Sequence, residues 1–136
     1  IFGLPGEIWD DIRKTFELAK SIDIDYCAFN IANPLPKTEL LDICREKGYL
    51  VNDFEFSDSH FNGFGFPNIK NPEFEPAELA ALRAFEWDRI NFKSEHKNRR
   101  IARINGITPE EIEPWRINTR RKTLETISQI VDNSAA

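Results

Sequence analysis

Two short phrases rich in glycine and proline, each lying between an apolar run and a helical pattern, constrain the fold most. They occupy residues 1–7 and residues 28–40. An apolar run followed by a tight turn and a helical pattern is typical of a strand-to-helix joint. Two such joints in succession predict parallel strands. Because ligand sites in parallel sheets lie in the loops after the carboxyl ends of the strands, we expect a binding site at these joints.

Local patterns predict the elements around the joints. Apolar residues recur at steps near three and four over residues 8–21, which predicts an amphipathic helix. The segment of residues 25–31 is short and mostly apolar, which predicts a strand. Thr38 is a good N-cap for a second helix that runs to Lys47, and Gly48 is placed to end it.

The middle of the chain has a different composition. Residues 51–56 predict a strand or an extended arm, and residues 57–72 are rich in glycine, asparagine, serine and proline. Long loops inside compact proteins often form lids or binding surfaces. We expect aromatic rings to hold this loop on the body of the protein. The rings concerned are Phe54, Phe56, Phe61, Phe64, Phe66 and Phe74.

The last part of the chain has a helical pattern throughout. Ser94 is placed to cap one helix and Gly106 to end it. Residues 108–111 read Thr-Pro-Glu-Glu, which is a capping box with proline at the first helical position. Pro114 should kink or restart the helix that follows, and the last apolar stripe ends near Asp132.

Together these elements predict an α/β fold that is helix-rich overall. We expect a partial (βα) barrel segment of about two βα units over residues 1–56 and an aromatic-rich loop over residues 57–75. A helical carboxyl-terminal extension should occupy residues 76–136. A chain of 136 residues with 40% hydrophobic side chains is long enough for one core.

Composition excludes some classes of protein and leaves others open. The sequence has no apolar run of the roughly 18 residues that a membrane span needs, and no signal-peptide pattern at residue 1. We therefore expect a cytoplasmic protein without a membrane partner. Cys27 and Cys44 lack metal-ligand spacing and are expected to be buried thiols. His60 and His96 stand apart from other candidate metal ligands, and we predict no metal site.

Charge is distributed unevenly along the chain. Residues 1–88 contain eight basic and 17 acidic side chains, whereas residues 89–136 contain ten basic and six acidic ones. The basic tail could dock on nucleic acid or on an acidic protein, but solvated helix surface explains the same pattern and is preferred. A nucleic-acid partner is therefore not favoured. The candidate basic residues are Arg99, Arg100, Arg103, Arg120, Arg121 and Lys122.

The joints themselves offer a few groups that could bind a ligand. Gly3 and Gly6 would let the backbone approach a ligand closely, and Glu7 could accept a hydrogen bond from an amino or hydroxyl group. A simple turn followed by a first-turn acid explains the same residues and is preferred. Asn30 is placed as a polar group at a strand end or as a turn-former. From spacing alone these alternatives stay open.

Two linked phrases add a resemblance to a known family. Gly-Leu-Pro-Gly-Glu at residues 3–7 is followed by a helix, a strand and the proline-rich phrase at residues 30–40. This order resembles the carboxyl half of radical S-adenosylmethionine enzymes, most closely those with an N-terminal cobalamin-binding domain. The segments 86–92, 106–107 and 115–116 are also similar to the helical extension of such proteins. Ile8 and Lys37 depart from the family pattern, which usually has threonine and glycine there.

The resemblance implies a function that this chain would share with other polypeptide. The full-length parent would use a 4Fe-4S cluster to cleave S-adenosylmethionine and modify an unidentified substrate by radical chemistry, with cobalamin use left open. The family's three-cysteine loop is missing here, and two cysteines cannot supply three thiolates. We therefore expect the chain alone to be inactive, with no catalytic residue and no bound cofactor. The residues implied to line the S-adenosylmethionine or substrate side are Gly3, Pro5, Gly6, Glu7, Asn30, Ile31, Pro34 and Pro36.

The apolar side chains of the expected strands need a surface that covers them. Phe2, Tyr26, Phe29 and Ile31 would lose about 1.5–3 kcal/mol each if a missing half-barrel left them exposed. They must be covered by the remainder of the parent polypeptide, by the chain's own helices, or by a second copy. We expect the isolated chain to self-associate. A stand-alone small-molecule binder is a further alternative, weakened because one turn does not make a pocket.

Overall fold

The computed structural model describes residues 1–51 and 65–135, with side chains described to residue 132. Most of the predicted arm and aromatic loop, including Phe54, Phe56, Phe61 and Phe64, therefore lies outside the described residues. Among the described residues no helix is long and apolar enough to cross a membrane. The elements are helices α1 (Trp9–Ser21), α2 (Glu39–Lys47), α3 (Pro76–Asn91) and α4 (Glu95–Asn105), a 3-10 turn (Pro109–Glu111) and helix α5 (Ile112–Ala135).

The expected α/β fold with a (βα) barrel fragment is wrong. The described residues are helix-rich and contain no strand or sheet, and their β-pairing consists of two isolated bridges. One bridge is parallel and joins Phe2 to Ile31. In it the Phe2 amide donates to the carbonyl of Asn30 (3.2 Å), and the Ala32 amide donates to the carbonyl of Phe2 (2.8 Å). The two expected strands are thus reduced to a single paired position.

Side chains from α3 explain why residues 25–31 form no strand. Asn91 accepts a hydrogen bond from the amide of Cys27 (2.8 Å) and donates one to the carbonyl of the same residue (2.9 Å). Arg83 donates from Nε to the carbonyl of Phe29 (2.6 Å). Buried backbone groups need a partner, and any partner of suitable geometry will do. The segment is therefore an extended chain docked on α3, with side chains supplying the bonds that a neighbouring strand would make.

An aromatic stack joins this docked segment to α1. The ring of Phe16 lies between Phe2 and Phe29, with centroid separations of 5.1 Å and 4.9 Å. Phe2, Phe29 and Ile31 are almost fully buried, whereas Tyr26 is 40% exposed. The chain's own helices therefore cover three of the four side chains whose exposure was the reason to expect self-association. Self-association itself stays a prediction.

A second aromatic group fastens α5 to α3. Trp87, Phe92 and Trp115 meet edge to face, with centroid separations between 5.2 Å and 5.9 Å. The guanidinium of Arg116 lies 4.8 Å from the Phe92 ring centroid and donates two hydrogen bonds of 2.7 Å to the carboxylate of Asp88. The carboxyl-terminal helices thus pack into the same core as residues 1–31.

Four predicted helix caps are confirmed, whereas α5 continues to Ala135, past the end expected near Asp132. Thr38 and Ser94 each accept a hydrogen bond from the main-chain amide three residues later. Gly48 and Gly106 adopt left-handed conformations, with φ of 65° and 67°. Pro114 is the third residue of α5, directly after the 3-10 turn. Because amides in the first helical turn have no helical acceptor, proline is tolerated there.

Candidate functional site

The parallel bridge brings the two predicted joints side by side. Gly3 directly follows Phe2 in the bridge, is buried and has φ of 84°. A Cβ atom at this position would lie 3.0 Å from Leu79 Cδ1 and 3.4 Å from Ile31 Cγ2. The close approach that Gly3 permits is therefore an approach to the side chain of a residue in α3.

The first joint is a turn that closes on itself. The amide of Glu7 donates to the carbonyl of Leu4 (3.1 Å), and Glu7 Oε2 accepts from the amide of Leu4 (2.7 Å). Gly6 has φ of 89°, with open space where a Cβ would be, and Pro5 is half-buried. These contacts give Gly6 and Glu7 a structural role in the turn. Their role toward a ligand stays a prediction.

The second joint packs more deeply than the first. Asn30 is half-buried and Ile31 is 1% exposed. Pro34 is buried and Pro36 is exposed. Of these four predicted site residues, Ile31 is thus held in the core next to Gly3, and Pro36 faces solvent. The described contacts gather Gly3 and Ile31 but do not bring Pro36 to them.

A buried pair of asparagines ties the second joint to residues 65–69. Asn33 Nδ2 donates to the carbonyl of Phe66 (3.2 Å), and Asn33 Oδ1 accepts from Asn68 Nδ2 (2.7 Å). Both asparagine side chains are at most 8% exposed. Since buried amides need their hydrogen bonds satisfied, this pair fixes where residues 65–69 lie on the second joint. No pattern in the sequence marks either residue as part of a site.

A groove of about 410 Å³ opens next to this joint, between residues 65–66, α3 and α5. We call it the Arg83 groove. Its lining includes one arginine and one lysine, and no acidic residue is among its described lining residues. Residues that line the groove include Gly65, Arg83, Thr119, Lys122, Thr126 and Gln129.

Arg83 is held rigidly at the inner side of this groove. Its Nε is bonded to the carbonyl of Phe29, and a Cβ at Gly65 would lie 3.2 Å from Arg83 Cζ and Nη1. The guanidinium therefore lies directly against the backbone of Gly65. Burial lowers the pKa of Arg83. No carboxylate pairs with this guanidinium within residues 1–51 and 65–132.

The sequence carried a signal for Arg83 that spacing analysis could have used. Leu79 and Trp87, four residues to either side, are both buried, so Arg83 belongs to the inward face of α3. Arginine on such a face is uncommon unless it has a partner. The partner of Arg83 can be identified only when the segment that packs against this face of α3 is known.

Most of the basic residues that could serve a docking surface are engaged within the chain. Arg99 pairs with Glu95 and Arg100 pairs with Asp25. Arg120 lies 3.5 Å from Asp88 and also pairs with Glu113, and Arg121 donates to Asn118. Lys122 instead lines the Arg83 groove. These contacts favour an ordinary solvated helix surface over a nucleic-acid interface.

The residues present do not fit an iron–sulfur cluster. No group of three or more histidine, cysteine or acidic side chains that could hold a metal occurs among the described residues. Cys27 is half-buried and Cys44 is buried, both are free, and burial raises the pKa of both thiols. His96 is exposed on α4, and His60 lies outside the described residues. A raised thiol pKa works against the thiolate form that iron requires.

Comparison with known proteins links part of the chain to a methyltransferase. A stretch of 40 residues, or 29% of this chain, is 45% identical to an uncharacterized methyltransferase of Pyrococcus horikoshii. The match spans 9% of that protein's length. No protein-family profile matches the chain, and no solved structure matches it.

Proposed function

We propose that this chain is part of a methyltransferase-related protein of the radical S-adenosylmethionine type, in which it forms a helical module. The 40-residue similarity to a methyltransferase is the observation that carries the proposal. The resemblance of the phrases at residues 3–7 and 30–40 to radical S-adenosylmethionine enzymes supports the finer assignment. The 4Fe-4S cluster and the S-adenosylmethionine chemistry then belong to the parent protein, with the cluster ligands outside this chain.

Within such a protein the module would hold two glycine- and proline-rich phrases in fixed positions. The bridge between Phe2 and Ile31 sets their spacing, and the hydrogen bonds from Arg83 and Asn91 fix the chain just before the second phrase on α3. A rigid support of this kind suits a module that positions a substrate or a neighbouring segment. The module itself performs no chemical step in this proposal.

The proposal is tested on the protein encoded by the complete gene. That protein is purified without oxygen, its iron and sulfide contents are measured, and reduced samples with S-adenosylmethionine are analysed for 5′-deoxyadenosine. We expect a 4Fe-4S spectrum and cleavage of S-adenosylmethionine. A complete gene product that binds neither iron nor S-adenosylmethionine would contradict the proposal.

The present chain provides the matched control. After the same reconstitution with iron and sulfide it should retain no cluster, because it offers two thiols and their pKa values are raised. Stoichiometric cluster binding by this chain would show that the cluster ligands have been assigned to the wrong part of the protein.

A further inference from the structure

We propose that the Arg83 groove binds the anionic group, a carboxylate or a phosphate, of a small molecule. The inference does not depend on the methyltransferase proposal, because it rests on the volume of the groove and on the placement of two of its lining residues, Arg83 and Lys122. Neither residue belongs to the phrases at residues 3–7 and 30–40.

Contacts within the protein position the side chain of Arg83 in the groove. Its Nε is occupied by the carbonyl of Phe29 at 2.6 Å, and Gly65 leaves room for the guanidinium to lie against the main chain. Nε thus anchors the side chain, and the two terminal nitrogens form no ion pair with a carboxylate of the described residues. Paired guanidinium nitrogens match the oxygen spacing of carboxylate and phosphate groups. The side chain is therefore ordered before any ligand arrives, which lowers the entropic cost of binding.

The positive charge of the Arg83 groove is not compensated by the described residues. Lys122 on α5 lines the same groove, and it forms no ion pair with the described residues. The hydroxyls of Thr119 and Thr126 donate to main-chain carbonyls of α5, so they supply no charge to the groove. Two cations without a counter-ion among the described residues give the groove a positive potential, and a bound anion would neutralise it.

A second cavity between α3 and α5 differs from the Arg83 groove in its charges. It has a volume of about 550 Å³, and it also contains one arginine, Arg120. That arginine already lies 3.5 Å from Asp88, which lines the same cavity. The neighbouring cavity therefore has an internal counter-ion, whereas the described lining of the Arg83 groove has none.

The size of the Arg83 groove favours a small molecule over a bare ion. Its volume of about 410 Å³ lies within the range of roughly 300–1,000 Å³ typical of small-molecule sites. The half-buried ring of Phe66 and the amide of Gln129 offer an apolar contact and a neutral hydrogen-bonding group for the rest of the ligand. The anion would be the anchor and the remaining groove would set specificity.

The test is a titration of the isotopically labelled chain with inorganic phosphate and, separately, with acetate. Chloride at matched ionic strength is the reference, and amide shifts are followed by NMR. We expect saturable shifts at Gly65, Phe66 and the α5 residues that line the groove. Saturation by one probe alone supports the proposal and names the anion class, and saturation by both supports the shared chemistry. Saturation by neither probe overturns it.

Variants then separate the groove from general surface charge. Lys122→Gln should raise the dissociation constant of the responding probe about tenfold, because it removes one charge-assisted contact. Arg121→Gln is the control, since it makes the same charge change one residue earlier, at a position that is exposed like Lys122 but is bonded to Asn118 and is not among the lining residues of the groove. Equal weakening by Arg121→Gln, or no weakening by Lys122→Gln, would overturn the proposal. Arg83→Met should abolish saturation while its fold is checked by the dispersion of the remaining amide signals.

Discussion

Replacing Asn91 by leucine tests how α3 holds the docked segment at residues 25–31. Asn91 is fully buried, and its amide group bonds both the amide and the carbonyl of Cys27. Leucine has a similar volume and cannot make either bond. Asn91→Leu therefore leaves two main-chain groups of Cys27 without their partner and opens no large cavity.

The magnitude follows from these two groups. A buried main-chain group that loses its hydrogen bond costs about 1–3 kcal/mol, which gives about 2–6 kcal/mol for the pair. Cys27 is half-buried, so water can reach part of this site and the lower half of that range is expected. A loss of about 2–4 kcal/mol is large against the usual domain stability of about 5–15 kcal/mol.

The assay is urea unfolding followed by far-ultraviolet circular dichroism, with Asn105→Leu as the matched control. Asn105 is exposed, and its amide donates to the carbonyl of Ile101 in its own helix. That substitution should change the free energy of unfolding by less than about 0.5 kcal/mol. If Asn91→Leu were as mild as Asn105→Leu, the reasoning that α3 side chains replace a strand partner would be refuted.

Two further substitutions test the packing of the chain. The hydrogen bonds from Arg116 lower the pKa of the Asp88 carboxyl below its ordinary value of 3.8, so the stability from this pair is present above that pH and is lost as the pH falls below it. Urea midpoints measured from about pH 7 to pH 2 should therefore decline less in Asp88→Asn than in the unsubstituted chain, and equal declines would count against the pair. Gly3→Ala should lower the melting temperature more than Gly6→Ala, because both positions have positive φ but only the first Cβ would meet Leu79, at 3.0 Å. Equal losses would mean that backbone strain alone matters at Gly3.

The helices were predictable because their signals are local. Periodicity and capping residues lie within the helix or next to it, and Thr38, Gly48, Ser94 and Gly106 take the positions expected of them. Their hydrogen-bond partners lie within a few residues, so no knowledge of the rest of the chain is needed.

The docking of residues 25–31 on α3, in place of the expected strand, was not predictable in the same way. An apolar run of this length suits either a buried strand or any other buried extended segment. The groups that decide between them, on Arg83 and Asn91, lie more than fifty residues away along the chain. Hydrophobic pattern indicates burial of such a segment, but it carries no information about which atoms satisfy its backbone.

The candidate site was also predictable only in part. The need for glycine at residues 3 and 6 was visible in the turn phrase, and both adopt positive φ. The Arg83 groove was not visible, since it is assembled from residues 65–66, α3 and α5. A site made from three separated segments leaves no compact motif in a sequence.

The most direct test of the account is a nuclear Overhauser experiment on residues 25–31. The docked arrangement predicts contacts between the Cys27 amide and the side-chain amide of Asn91. It also predicts that the cross-strand contacts of residues 25–31 are confined to the single pairing of Ile31 with Phe2. A continuous series of cross-strand contacts along residues 25–31 would show a strand in a sheet and would contradict the account.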